Sequence, residues 1–455
     1  MLIKEAARYA TAKYSSVAVI GGGIGGLSVA NALLHKNNNE HRNIVDRVTV
    51  YEQADKFIPT AGAGFGFSPN GQMCLSSIGI HEYHNFCQPF DTMKRITADG
   101  TTVQQQASVF ETIRNKYGFG FSGCLRADLV NLLVDNLHQH QQGDNNLVYS
   151  SKLTGITPHL EKVELQFDNN GHGITEDVVD LVIGADGINS TVAKLLNIDD
   201  AHQTPIYSGA NIFYGKIPNP DSIDLLRNHP VFDRSSVVNG PGSGEFIAFH
   251  AGRGDKRTFI WASTYVASHP PGSSNSKRDE EEWKQGNRND LESVLSKYPT
   301  SHPIHEFASL TSKDDLLHFG LYYRHHRKEW SRGRAVLLGD SCHATLPYVG
   351  QGANQAIEDS IYLSDCLDKH DSYEDAYQDY YERRFPRTKR VVQLAGVMHK
   401  LYHSESWLMH KALDLFFDSV MRGGVILKQL EREIIHECPV SYEQVLREMQ
   451  RGSKK

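Results

Sequence analysis

The sequence predicts an α/β fold in which a domain built on a parallel sheet is interrupted by a mostly antiparallel β-sheet domain and then closed by C-terminal helices. Three observations carry this. The β-branched strand Val17–Ile20 runs into Gly21, Gly23 and Gly26, and helical spacing follows from Ile24 to Leu34. Between residues 207 and 266 the pattern changes to alternating aromatic segments, "NIFYGKI", "GEFIAFHA" and "RTFIWAST", which reads as antiparallel sheet. An apolar strand returns at Ala335–Leu338, and from Gln355 onward the pattern is mostly helical.

In chain order, "MLIKEAARYATAKY" (1–14) is a weakly amphipathic extension without the apolar core of a secretory signal, although a short organelle-targeting role stays open. The first strand, its helix and a second strand, Arg47–Tyr51, form a β–α–β unit that implies a parallel, Rossmann-like sheet. Further strands are expected at Leu147–Tyr149, Val163–Phe167 and Leu181–Ile183. The expected organisation is a first nucleotide-binding part at 15–195 with inserted segments, a substrate sheet domain at 196–325, a second nucleotide-binding part at 326–370 and a helical region at 371–455.

Bulk properties set limits. Hydrophobic residues are 39% and charged residues 22% of the chain, ordinary for a globular enzyme. The net charge of −7 disfavours nucleic acid and anionic membrane as general partners, while peripheral membrane contact stays open. Six scattered cysteines without a CxxC pair point to reduced thiols and a cytoplasmic protein, not to a disulfide frame or zinc site. No metal is expected: "HEYH" (81–84) offers two histidines without a third ligand. The apolar stretch Trp407–Leu427 carries Lys411, Asp414, Asp418 and Arg422 at mid-segment, which rules against a membrane span.

The chemistry sits at strand ends. Gly21, Gly23 and Gly26 form GxGxxG between a strand and a helix, where free N–H groups and the helix dipole hold a pyrophosphate. Glu52 ends the second strand, placed to accept hydrogen bonds from a ribose. A second strand end carries "GADGINS", with Asp186 and Gly187 in a turn. A third carries "GDSCHATLPYVGQGANQ", in which Asp340 can hold a sugar-like hydroxyl and Gly350–Gly352 open a helix. Three glycine-bearing strand ends argue for one extended cofactor.

These motifs, together with "GAGFGFSPNG" (62–71), "CLRADLVNLL" (124–133) and "YYRHHRKEWSRGRAVLLGDSCH" (322–343), resemble the group A flavoprotein monooxygenases, including salicylate-hydroxylase-like and zeaxanthin-epoxidase-like enzymes, over residues 15–400. The resemblance implies FAD as bound cofactor and NAD(P)H as a transient co-substrate. It implies O2 chemistry through a C4a-hydroperoxyflavin, hydroxylating or epoxidising a small aromatic or polyene substrate. It assigns Gly21, Gly23 and Gly26 to the pyrophosphate, Glu52 to the ribose and Arg126 to the phosphate–ribose region. Gly64 approaches the flavin, and Asp186 and Gly187 belong to a segment shared by FAD and NAD(P)H. Asp340 holds the ribityl or pyrophosphate end, and Gly350, Gly352 and Ala353 line the isoalloxazine. Pro347 shields the oxygen side, and Tyr214 and His250 are the polar candidates for a base on the pocket sheet. The chain departs from the family pattern at Ala193, Ile58, Pro59, Tyr323 and the "GDSCH" segment. A flavin-binding redox sensor and a flavin-dependent halogenase are the alternative readings, the latter without its tryptophan-rich motif. Oligomeric state is not readable.

Overall fold

The computed structural model describes residues 12–39, 43–57, 63–140, 146–199, 204–228, 233–241, 244–271, 288–432, 435, 438–440 and 443–445. Most of the N-terminal extension, Ile58–Pro59 and the greater part of the 269–290 loop lie outside these residues.

The first sheet has six strands in the order Ser331–Arg332, Ala335–Leu337, Leu181–Gly184, Tyr14–Ile20, Val45–Tyr51 and Leu147–Val148. All neighbours are parallel except the edge pair at Ser331–Arg332. Val17 stands between Leu181 and Val48, and the strand is buried throughout from Ser16 to Ile20. Apolar cover on both faces is what a parallel sheet requires, and it explains why these strands read as continuous Val/Ile/Leu runs. The helices Ile24–Asn39, Arg126–His140 and Gly352–Lys369 pack together over it. Because the strands are parallel, the segments following Ile20, Tyr51, Gly184 and Leu337 all emerge at the same sheet edge, where α/β folds bind ligands.

The second sheet has seven strands in the order Leu316–Tyr323, Ile206–Pro218, Thr258–Val266, Glu245–Ala251, Ser236–Pro241, Thr92–Ile96 and Val103–Ala107. Residues 92–107 therefore join this sheet although they precede the 195/196 boundary expected from sequence. Thr92–Ile96 enters by a parallel pairing with Ser236–Pro241, a contact between segments far apart in the chain that local pattern cannot announce. The Ser236–Pro241 strand pairs antiparallel with Glu245–Ala251, while the middle of "GPGSG" lies outside the described residues.

Alternation divides the aromatic residues of this sheet. Phe213, Phe246, Phe259 and Trp261 face one way and pack with Phe307 from the helix Ile304–Leu310. Tyr214, Phe249, Ile212 and Ala262 face the other way, toward Met398, Leu401 and Tyr402 of the 30-residue helix Tyr373–Tyr402. Each fully buried large side chain contributes about 1.5–3 kcal/mol, so both faces of this sheet are structural before either is functional.

Where the helices Gly352–Lys369 and Tyr373–Tyr402 meet lies a buried charge cluster that local sequence does not reveal. Arg384 bonds Asp359 (Nε to Oδ1, 2.6 Å) and Glu358 (Nη1 to Oε2, 2.6 Å), and Arg387 spans both Glu358 oxygens. Asn70 donates to Glu358 at 2.6 Å, while Asp359 Oδ2 accepts from Gly339 N at 3.0 Å and meets His343 Nε2 at 2.7 Å. Burial opposes ionisation, but His343 and Arg384 overcome it and hold the Asp359 carboxyl down at about 2. The cluster ties the Tyr373–Tyr402 helix to the turn that presents Asp340. Among the described residues, no helix is long and apolar enough to cross a membrane.

Candidate active site

At the first strand end, Gly21 N donates to Tyr51 O at 2.8 Å, and a Cβ on Gly26 would run into the Gly21 carbonyl oxygen. The glycines therefore let the helix begin against the strand, as the motif requires. A Cβ on Gly23 would meet only Arg126 Nη2, at 3.9 Å. Glu52 does more than await a ribose: Oε2 accepts from Gly22 N at 2.8 Å and Oε1 from Ala54 N at 2.9 Å. Its carboxylate shapes the glycine loop, a role the sequence did not reveal.

Asp340 opens a one-turn helix, Asp340–His343, after Gly339 at φ +66°. Its exposed surface opens into a cleft walled by protein, which pushes its pKa up against the opposing pull of His343 and Arg126. Neither the Asp340 carboxylate nor the Arg126 guanidinium has a hydrogen-bond or ion-pair partner of its own among the described residues. A polar cation beside a glycine loop and an unbonded carboxylate facing the cleft suit a diphosphate and a polyol chain. The residues fit FAD.

The Asp340 cleft continues into a cavity of about 530 Å³. One wall is Ala63–Gly66, the second is the loop Thr345–Ala353, and the third is the inner face of the seven-stranded sheet. Asn354 clamps the first two together, accepting from Ser68 N at 3.1 Å and donating to Gly66 O and Gly350 O at 3.0 and 2.9 Å. Gly350 sits at φ +61°, a conformation that side chains disfavour, and a Cβ on Gly352 would have nothing nearer than Thr345 Cγ2 at 3.9 Å. Helical bonding past this point begins with Gln355 N to Gln351 O, leaving the first N–H groups, including those of Gly352 and Ala353, without intrahelical acceptors. Pro347 lines the same cavity, in a 3₁₀ turn with Tyr348 and Val349.

The remaining expected residues are engaged within the protein or face away from the cavity. The Asp186 carboxylate accepts from Thr191 N and Val192 N at 2.6 and 3.0 Å, capping the helix Thr191–Leu195, and Gly187 turns the chain at φ +75°. Tyr214 lines the cavity, but its hydroxyl is held by Gly64, accepting from N at 2.5 Å and donating to O at 3.0 Å. Burial raises its pKa strongly, so it clips Gly64 to the sheet and is a poor base. His250 is taken out of the cavity by alternation: Glu245, Ile247 and Phe249 face in, whereas His250 lies edge-on to Phe259 at 5.0 Å on the opposite face.

Alternation instead brings in a group that sequence reading passed over. Glu245 Oε1 accepts from Asn239 Nδ2 at 3.1 Å, and Asn239 Nδ2 also reaches Tyr402 Oη at 3.0 Å. Arg95 Nη1 donates to Asn239 Oδ1 at 3.2 Å, and since arginine only donates, this orients the amide nitrogen toward Glu245. Burial pushes the Glu245 carboxyl up to about 7, with Tyr402 and Asn239 opposing. Nearby, Tyr348 Oη contacts His403 Nε2 at 2.8 Å and His399 Nδ1 at 3.2 Å.

A glycine cradle suited to a dinucleotide, joined to a cavity over a separate sheet, fits the architecture of a flavoprotein. The FAD binding domain family model matches residues 14–395, and the chain belongs to that family. It is similar to 3-amino-4-hydroxybenzoate 2-monooxygenase of Streptomyces cremeus, at 28% identity over 394 residues covering 85% of this chain and 87% of the relative. It is similar also to 6-hydroxynicotinate 3-monooxygenase of Pseudomonas fluorescens, at 27% identity over 407 residues covering 86% and 91%. Among solved structures, a variant of Klebsiella pneumoniae HpxO complexed with FAD shares the fold, with a TM-score of 0.74 at 20% identity over 93% of this chain and 99% of that one. The protein is an FAD-dependent monooxygenase of the group A class.

The ribose and ribityl contacts expected of Glu52 and Asp340 can be checked separately from turnover. Glu52→Ala and Asp340→Ala are each expected to weaken FAD by about 1.5–3 kcal/mol, the worth of a hydrogen bond to a charged group. Apoprotein titrated with FAD measures this directly.

Proposed function

We propose that the protein uses NAD(P)H and O2 to hydroxylate a small aromatic substrate in the cavity between the sheet face and the Gly350–Ala353 loop. One observation supports this above the others: the unbonded Asp340 carboxylate, the glycine loop and the apolar sheet face open into a single cavity. Bound FAD supplies the two-electron chemistry that activates O2, as cofactors carry the hard chemistry of such enzymes. Gly21, Gly23, Gly26 and Arg126 hold its diphosphate, Glu52 fixes the glycine loop and its ribose, and Asp340 accepts from its ribityl hydroxyls. The helix N-terminal N–H groups of Gly352 and Ala353 are preorganised donors for the ring edge where negative charge develops. Pro347 and the phenylalanines Phe249 and Phe319 exclude water, which protects reactive oxygen from loss as peroxide.

In this reading Asp186 and Gly187 serve as structural support beside the cofactor. The relatives' names denote ring acids, a benzoate and a nicotinate. The size and aromatic lining of this cavity support an aromatic ring of comparable dimensions. The test is NAD(P)H oxidation by FAD-loaded protein across phenols, anilines and hydroxylated ring acids. A substrate-dependent rise of tenfold or more in at least one case is expected. A basal rate that no ring compound stimulates would instead favour a flavin-binding sensor.

A further inference from the structure

The charged side chains lining the cavity are Glu245, Asp340 and Glu431, and among the described residues no Lys, Arg or His lines it. Glu431 is committed elsewhere, to Lys116 Nζ at 2.9 Å and Tyr117 Oη at 3.1 Å. Asp340 stands at the flavin end. Glu245 is therefore the charged group left facing the substrate space.

Its setting is built. The carboxylate is braced by the Asn239 amide, which Arg95 orients from behind, and Tyr402 closes the group from the helix above. Thr264, on the neighbouring strand, accepts from Glu245 N at 2.8 Å and lines the cavity too. The surroundings are apolar: Ile247, Phe249 and Phe319 on the sheet, Met398 and Phe417 on the helices. An acceptor held in such a place favours a ligand that brings a donor, because an unmatched buried polar group is costly. It disfavours a ligand carboxylate, which would stand against like charge, since among the described residues no cation lines the cavity and Arg95 behind Asn239 is paired with Asp414.

We propose that Glu245, braced by Asn239 and Tyr402, is the recognition group of the substrate cavity and selects neutral or cationic aromatic substrates carrying an O–H or N–H donor over carboxylate-bearing ones. This rests on the cavity being the substrate chamber, as argued above, and it separates the chain from relatives named for ring acids. Glu245 here binds the substrate's donor; no proton transfer is assigned to it.

The test is equilibrium titration of the FAD-loaded protein at a pH well above 7, where burial no longer keeps the Glu245 carboxyl protonated, following the flavin absorption change. The probes are resorcinol, 3-aminophenol, 3-hydroxybenzoate and 1,3-dimethoxybenzene, which lacks donors. Wild-type protein is expected to bind resorcinol and 3-aminophenol about tenfold or more tightly than the other two, the scale of one hydrogen bond to a charged group. Glu245→Gln should shrink the advantage of 3-aminophenol over 3-hydroxybenzoate at least severalfold, chiefly by tightening the acid. Tyr402→Phe, which leaves the carboxylate in place but less supported, should move the ratio the same way by less. FAD content and melting temperature are recorded for each variant. Ratios within twofold of wild type in both variants would overturn the proposal. So would wild-type protein that binds the acid as tightly as the donors, or that binds no donor. Because titration needs no turnover, selective binding without hydroxylation counts against the monooxygenase chemistry alone. Hydroxylation without selectivity counts against the role of Glu245 alone.

Discussion

Arg384→Met is expected to destabilise the protein by about 3–5 kcal/mol, the usual cost of leaving one side of a buried ion cluster unmatched. The side chain is fully buried, and its guanidinium serves Asp359, Glu358 and Gln355 together. Methionine fills much of the volume and neutralises nothing, so two buried carboxylates would share Arg387 and His343. The consequence reaches the cofactor. Asp359 holds Gly339 N and His343, and those residues flank Asp340. Loss of FAD should therefore accompany the drop in melting temperature. Arg384→Lys should recover only part of both, since a single ammonium cannot reproduce the fork. Unfolding followed by tryptophan fluorescence, with flavin release recorded in parallel, checks the two effects at once. If stability falls while FAD affinity stays at its wild-type value, the link from this cluster to the Asp340 turn is wrong.

Gly352→Val is expected to act on chemistry with little effect on the fold. A Cβ at this position meets nothing closer than 3.9 Å, so the added methyls extend into the cavity in which we propose the flavin ring lies. FAD should still be retained through the glycine cradle, Arg126 and Asp340, which grip its other end. The ring should sit displaced from the helix N-terminus, with water admitted beside it. NAD(P)H would then be consumed with nearly one hydrogen peroxide per turnover and little hydroxylated product. Measured peroxide yield against product yield decides this, and tight coupling in the variant would show that the loop is not the wall of the oxygen site.

Local motifs marked the strand ends proposed to hold the cofactor. Gly21–Gly26, Glu52 and Asp340 each lie at the end of an apolar run, and a parallel sheet necessarily brings such ends to one edge. The substrate half was legible only as a sheet. Strand alternation separates Phe249 from His250, but which parity faces the helices depends on packing partners far along the chain. Glu245 gave no signal of its own because its partners, Asn239 and Tyr402, become neighbours only when the Tyr373–Tyr402 helix lies across the sheet. The same holds for Arg384 and Arg387, which are buried against Glu358, with Arg384 also on Asp359, only once the two helices pack. That residues 92–107, within the first part and its inserted segments, join the second sheet is illegible for a related reason: parallel pairing over long separation leaves no turn signal to read.

The most direct test of the central claim is the fate of the oxygen atoms. FAD-loaded protein supplied with NAD(P)H, ¹⁸O2 and the ring compound that most stimulates turnover should yield product carrying one ¹⁸O atom per NAD(P)H oxidised, the other atom appearing in water. Product without label, or oxygen recovered wholly as hydrogen peroxide with every ring compound that stimulates oxidation, would contradict the assignment of this cavity as the place where oxygen is transferred to substrate.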